Sequence, residues 1–273
     1  MNTYRAKFPG PLGEKNSPYG VKWGLISGGG LFLGLTKYKP MITVSSRFCG
    51  PPTSGNGGYS CGMVDKQTDY VSEVTLRKPI PLDREMDVQK DGDQLRLMAG
   101  EELIATARPS SLDDFEVPPY LDFADALKSS MNFLGYQERP AFPTCFVCGI
   151  DRAEGDGLRI FAGASEQESL FAAPWKPTAD LADSDGFVAP EFIWAALDCP
   201  GAFAIMEDEI KTVVLGRLTA ELIQGIQPGE SCVVTAWPLG NEGRKYYSGT
   251  AVFNEEGQLC AKAKAVWIEL ENH

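Results

Sequence analysis

The sequence predicts an α+β protein built as a tandem repeat, each half a curved antiparallel sheet wrapped round one central helix. Three observations carry that expectation. The chain has 273 residues, more than one small domain needs. Its second half reads as short strands, then a continuously apolar stretch from Pro190 to Met206, then strand-like runs divided by turns. The first half repeats that order. Laying Asn56 on Ala189 aligns NGGYSCGMVD (56–65) with APEFIWAALD (189–198), and both blocks end in an aspartate.

Taken in order, residues 1–40 read as an N-terminal extension. Their apolar run Trp23–Leu35 is too short to span a bilayer and is interrupted by glycines, so no membrane span is expected. MITVSSRF (41–48) reads as a strand, and the Gly-rich run that follows carries the first helix. Strands are expected at Tyr70–Arg77, Met86–Lys90, Gln94–Ala99 and Glu102–Ala107, completing an N-terminal unit of residues 41–108. Residues 109–140, rich in Pro and acids, form the connection, with one helix at Leu121–Leu134. The second unit, 141–273, opens with two short strands within 157–173. Its helix begins at Pro190-Glu191, a helix-start signature, and Pro200-Gly201 marks an end or a kink. Strands follow at Thr212–Ile223, Glu230–Pro238, Lys245–Asn254 and Leu259–Leu270. A helix apolar nearly all round suits a sheet that wraps it.

Composition narrows the chemistry. A net charge of -12 argues against a nucleic-acid partner, which would need Lys and Arg in excess. The only histidine is His273. Ser-His-Asp and Cys-His nucleophile systems and His-ligated metals therefore lack their central group. Carboxylates, amides, hydroxyls and backbone N–H groups must do any catalysis. Seven scattered cysteines read as reduced thiols of a cytoplasmic protein rather than a disulfide framework. Cys145-x-x-Cys148 has neither a second CxxC nor an internal histidine, so no metal and no cofactor are expected.

Three segments resemble the hotdog-fold acyl-thioester superfamily, in particular thioesterases fused as double hotdogs. Asn56-Gly57-Gly58 with Asp65 is similar to a His-Gly-Gly helix start with an Asp nine positions on, Asn standing for His. WAALDCPGAF (194–203) resembles the Ala-Ser-Leu-Asp segment of double-hotdog acyl-CoA thioesterases, which puts Asp198 on their catalytic aspartate. CFVCGIDRAEGDGLRI (145–160) resembles the Cys-Phe-x-Cys-Gly opening of many such domains. The resemblance covers residues 41–270 and implies a tandem (double) hotdog with sites between its halves. It also implies a Thr on the strand after the helix, a role Thr219 fills by position, and a Gln on the last strand. Val266-Trp267 stand at that Gln's place.

The resemblance implies sites that each join one helix start to the other helix's acid, and the residues at the two starts make that pair asymmetric. A helix start offers unpaired N–H groups and a favourable dipole for a developing oxyanion. Gly57 and Gly58 leave such a start open, whereas Pro190 has no N–H to offer. One competent site is expected, Asn56, Gly57 and Gly58 facing Asp198. Asp65 with Ala189-Pro190-Glu191 would be its degenerate mirror. Glu191 lies at helical spacing from Asp198, so both carboxylates are expected to line one groove. Asp198, Asn56 and Thr219 are the expected catalytic residues, and Gly57, Gly58, Glu191 and Asp65 the expected substrate-binding ones. The plainer alternatives are a glycine turn at 55–58, Asp198 as a buried cap, and Asp65 as a helix end. Arg217, Arg244 and Lys245 are candidate partners for phosphates, or simply solvated charges. The expected activity is hydrolysis of an acyl-CoA or acyl-carrier-protein thioester, with coenzyme A entering only as part of the substrate. The alternative is a hotdog protein that binds such a thioester or a lipid without turnover, or serves an accessory biosynthetic step. Monomer and homodimer both fit.

Overall fold

The computed structural model describes residues 40–206 and 209–270. The extension before Pro40 and the terminal His273 lie outside the described residues. The first half contains β1 (Met41–Thr43), α1 (Gly57–Asp65), β2 (Ser72–Leu76), β3 (Glu85–Asp91), β4 (Gln94–Ala99) and β5 (Glu102–Pro109). The connection carries α2 (Phe123–Ser130). The second half contains β6 (Gly163–Ala164), β7 (Phe171–Trp175), α3 (Pro190–Ala196), α4 (Cys199–Ala204), β8 (Val213–Leu222), β9 (Cys232–Glu242), β10 (Lys245–Phe253) and β11 (Leu259–Glu269).

The strands form one antiparallel sheet ordered β1-β3-β4-β5-β2-β8-β11-β10-β9-β7-β6. Read outward from the β2–β8 junction, both halves run alike: the strand after the helix, the last strand, then back through the hairpins. That is the succession expected of the repeat. The junction is short, pairing Glu73, Val74 and Thr75 with Thr219, Leu218 and Arg217. The aligned blocks also correspond in space, because Asn56 caps α1 and Ala189 caps α3.

The two helices cross in opposite directions and meet at glycines spaced one turn apart. A Cβ on Gly58 would stand 2.5 Å from Asp198 Cβ and 2.6 Å from the Trp194 carbonyl oxygen. One on Gly62 would stand 2.6 Å from Glu191 Cα. Only residues without a side chain permit that approach, which seals Trp194 completely from solvent. Burying its rings contributes roughly 2–3 kcal/mol, offset in part by an indole N–H that finds no partner among the described residues.

Several expected elements are shorter than their patterns. MITVSSRF forms a strand only to Thr43 and then a single 3₁₀ turn at Ser46–Phe48. The helix expected at Leu121–Leu134 is held to Phe123–Ser130, started by the Asp122 side chain accepting the Asp125 N–H at 2.8 Å. Among the described residues no helix is long and apolar enough to cross a membrane.

Candidate active site

The apolar stretch expected as one helix is broken at Leu197–Asp198. Pro200, in the first turn of α4, has no N–H to continue the ladder, and its ring would collide with the carbonyl of Ala196. The freed Leu197 carbonyl accepts the Thr250 hydroxyl at 2.8 Å instead. At this break the Asp198 side chain reaches the first turn of α1. Its Oδ2 accepts the Gly58 N–H and one amide hydrogen of Asn56 Nδ2, each at 2.8 Å. Asn56 Oδ1 in turn accepts the Tyr59 N–H at 2.9 Å, so one amide caps α1 and fixes the carboxylate. Asp198 Oδ1 is buried and has no hydrogen-bond partner among the described residues.

Burial pushes the Asp198 carboxyl up to about 7, against the opposing pull of the Gly58 N–H. Cys145 beside it adds to the rise and the Asn56 amide subtracts from it. The plainer alternative was a buried cap for a neighbouring loop; the carboxylate instead accepts from the start of α1. Asn56→Ala removes the cap and one of the two bonds to Oδ2. The expected result is a loss of about 1–2 kcal/mol, read as a lower urea midpoint at constant slope. An unchanged midpoint would remove Asn56 from the support of this site.

Asn56, Gly57 and Asp198 open onto a cavity of about 570 Å³. Its walls are mainly apolar, with Ile80, Phe142, Phe203, Met206, Leu215 and Trp267 prominent. Arg77, Lys78 and Lys211 also line it. Lys78 is paired with Glu102, while the Lys211 ammonium reaches the Met206 carbonyl at 3.4 Å. Gly57, at the first position of α1, makes no hydrogen bond through its N–H to any described residue. Gly58 was expected to serve an oxyanion, but its N–H is taken by Asp198. The open donor is therefore that of Gly57.

The structure brings Asn56, Gly57, Gly58 and Asp198 together and leaves the other expected site residues elsewhere. Thr219 is not among the cavity-lining residues. Arg217 pairs with Val266 while Leu215 pairs with Trp267, so Gly216 is a bulge that reverses which residues face inward. Leu215 thus faces the cavity, whereas Thr219 stands opposite the solvent-exposed Lys264 on the outer face. Glu191 shares no groove with Asp198, because antiparallel crossing puts the α3 start beside the end of α1. There Glu191 Oε1 pairs with Lys66 Nζ at 2.9 Å. Asp65 is buried and accepts the Ser72 hydroxyl at 2.8 Å, also outside the cavity. Trp267, at the place of the expected Gln, donates its indole N–H to Ser248 Oγ at 2.9 Å.

Arg217 meets Thr75 and Glu73 on the sheet's outer face, and neither Arg244 nor Lys245 lines the cavity. The cations that do line it had a faint signal, an Arg-Lys pair directly after a strand and before Pro79. A second group was not foreseen. Cys145, Cys148 and Cys199 are buried with their sulfurs within 4.8 Å of one another. Hydrogen bonding with the Cys148 and Cys199 thiols holds the Cys145 thiol well below the usual range, and either member of the Cys145–Cys199 pair, 3.5 Å apart, can donate.

No protein-family model matches this sequence, and no curated protein does. Among solved structures, the chain is similar to the tesB protein of Mycobacterium avium subsp. paratuberculosis at TM-score 0.54 and 11% identity. That match covers 85% of this chain and 92% of the other. The PaaI protein of E. coli matches at TM-score 0.42 and 14% identity, over 54% of this chain and 97% of its own. The first of these likenesses is one of fold. The chain shares the hotdog fold of that tesB protein.

Proposed function

We propose that the chain is a fused double hotdog, with units at 41–108 and 141–273 joined by 109–140, that hydrolyses an acyl thioester. One observation carries the reading. A buried carboxylate sits on a helix start through one oxygen, its other oxygen unpartnered, at the wall of an apolar cavity. The apolar walls suit an acyl chain. The Gly57 N–H suits the carbonyl oxygen, which gains charge as the tetrahedral intermediate forms. Asp198 Oδ1 takes a proton from water as the water oxygen attacks the carbonyl carbon. The C–S bond then breaks, and the departing thiolate takes up a proton. Direct attack by Oδ1, forming an anhydride that water opens, uses the same geometry.

Arg77 and Lys211 suit the phosphates of coenzyme A or of a phosphopantetheine arm. Replacing both by Ala is expected to raise KM for an acyl-CoA about tenfold with kcat nearly unchanged, and to flatten the salt dependence of kcat/KM. Equal KM values in the double variant would move the carrier elsewhere. Trp267 favours a second reading, binding without turnover, because it stands where the resemblance implies a Gln. Thiol release measured over short, medium, long and aromatic acyl-CoAs separates the two. Turnover of at least one ester supports hydrolysis, and binding without thiol release selects the second reading.

A further inference from the structure

The geometry points to a thiolate site for a single zinc ion, formed by Cys145, Cys148 and Cys199 at the inner wall of the cavity. The pair Cys145-x-x-Cys148 lacked ligands in the sequence, and the fold supplies the third. Cys199, the first residue of α4, lies 54 positions away with its sulfur 3.5 Å from that of Cys145. All three sulfurs lie within 4.8 Å of one another. Tetrahedral zinc with Zn–S bonds of about 2.3 Å needs sulfurs roughly 3.8 Å apart, so small side-chain movements suffice. Three thiols about one point are more than a disulfide can use, and thiolates select soft or borderline ions.

The surroundings are those of a built site. Asn56 Nδ2 lies 3.7 Å from the Cys145 sulfur and 3.9 Å from that of Cys199. Such donors orient ligand sulfurs and spread their charge. Gly149 closes the turn, because a Cβ there would stand 2.4 Å from the Cys145 carbonyl oxygen. All three cysteines line the cavity. The fourth coordination position therefore faces the cavity and takes an exogenous ligand, water or a thiol. Open positions of this kind distinguish sites that bind ligands from closed structural ones. Binding one Zn²⁺ releases the protons of the thiols that coordinate it.

The test uses the full chain, reduced and stripped with a chelator under anaerobic conditions, then titrated with Co²⁺ and afterwards with Zn²⁺. About one equivalent of Co²⁺ is expected to give sulfur-to-cobalt charge-transfer absorption with tetrahedral d–d bands. About one equivalent of Zn²⁺ should abolish both. Cys148→Ser and Cys199→Ser should lose the charge-transfer intensity, while Cys260→Ser, distant in the sheet, keeps it. On the wild-type chain, Zn²⁺ should protect the peptides holding Cys145, Cys148 and Cys199 from alkylation, and no others. That reading needs no variant to fold. An octahedral cobalt spectrum without charge transfer, or equal alkylation with and without Zn²⁺, overturns the site. None of these readouts depends on whether the chain hydrolyses a thioester.

Discussion

If the proposed hydrolysis holds, Asp198→Asn is expected to lower the rate of thiol release by about 10²- to 10⁴-fold while the far-ultraviolet circular dichroism stays that of the wild type. The exchange suits the geometry. The Asn carbonyl can occupy the place of Oδ2 and still accept from Gly58 and Asn56. Its NH₂ takes the place of Oδ1 and can neither accept a proton nor attack a carbonyl. A loss smaller than about tenfold would remove Asp198 from the reaction. The pH dependence has a definite sign. With the carboxyl pushed up to about 7 and the ionised form the active one in the proposed reaction, kcat/KM of the metal-free chain is expected to rise as pH passes upward through about 7.

Stability runs the other way. The carboxyl is raised in the folded chain from its ordinary 3.8, so its stabilising contribution is full below about 4 and is lost as pH rises to about 7. Asn has no such loss. Asp198→Asn should therefore gain on the wild type between pH 4 and 7, by on the order of 4 kcal/mol at most, and then level off. A stability difference independent of pH would contradict a buried titrating carboxyl.

Gly58→Ala is the second large effect. Ala in a helix interior is favoured over Gly by about 1 kcal/mol, so the change would stabilise an isolated helix. Here the new methyl would meet Asp198 Cβ at 2.5 Å and the Trp194 carbonyl oxygen at 2.6 Å. These atoms belong to backbone and to the root of a side chain, so neither can swing away. Overpacking typically costs about 1–3 kcal/mol and occasionally more, and contacts this short on unyielding atoms put Gly58→Ala at the upper end, which outweighs the propensity gain. The expected readout is a urea midpoint lowered by more than 2 kcal/mol equivalent, with thiol release falling as the two helices part. A midpoint at or above wild type would mean the helices do not pack at Gly58.

The order of elements was legible because each half sets a helix block before strand-like runs, and the aligned Asn56 and Ala189 stand at the N-cap positions of α1 and α3. The break at Asp198 was announced by Pro200, since a missing N–H is visible in any sequence. Thr219 was misplaced because a bulge at Gly216 reverses inward and outward parity, and counting along a strand assumes no bulge. Glu191 was misplaced because spacing along α3 says nothing about which end of α1 it meets. The antiparallel crossing, set by Gly58 and Gly62, decides that. Cys199 joins Cys145 and Cys148 only through the fold, so its sulfur could not be added to the CxxC by spacing.

The pairing of α1 with α3 leaves two carboxylates at related places, one facing a cavity and one bound to Ser72. Thiol release by Asp198→Asn and Asp65→Asn, each shown to be folded and assayed side by side on the best acyl-CoA, tests the asymmetric site most directly. Loss of at least a hundredfold in the first, with the second within about threefold of wild type, is the predicted result. Retained turnover in Asp198→Asn, or loss in a folded Asp65→Asn, would contradict it.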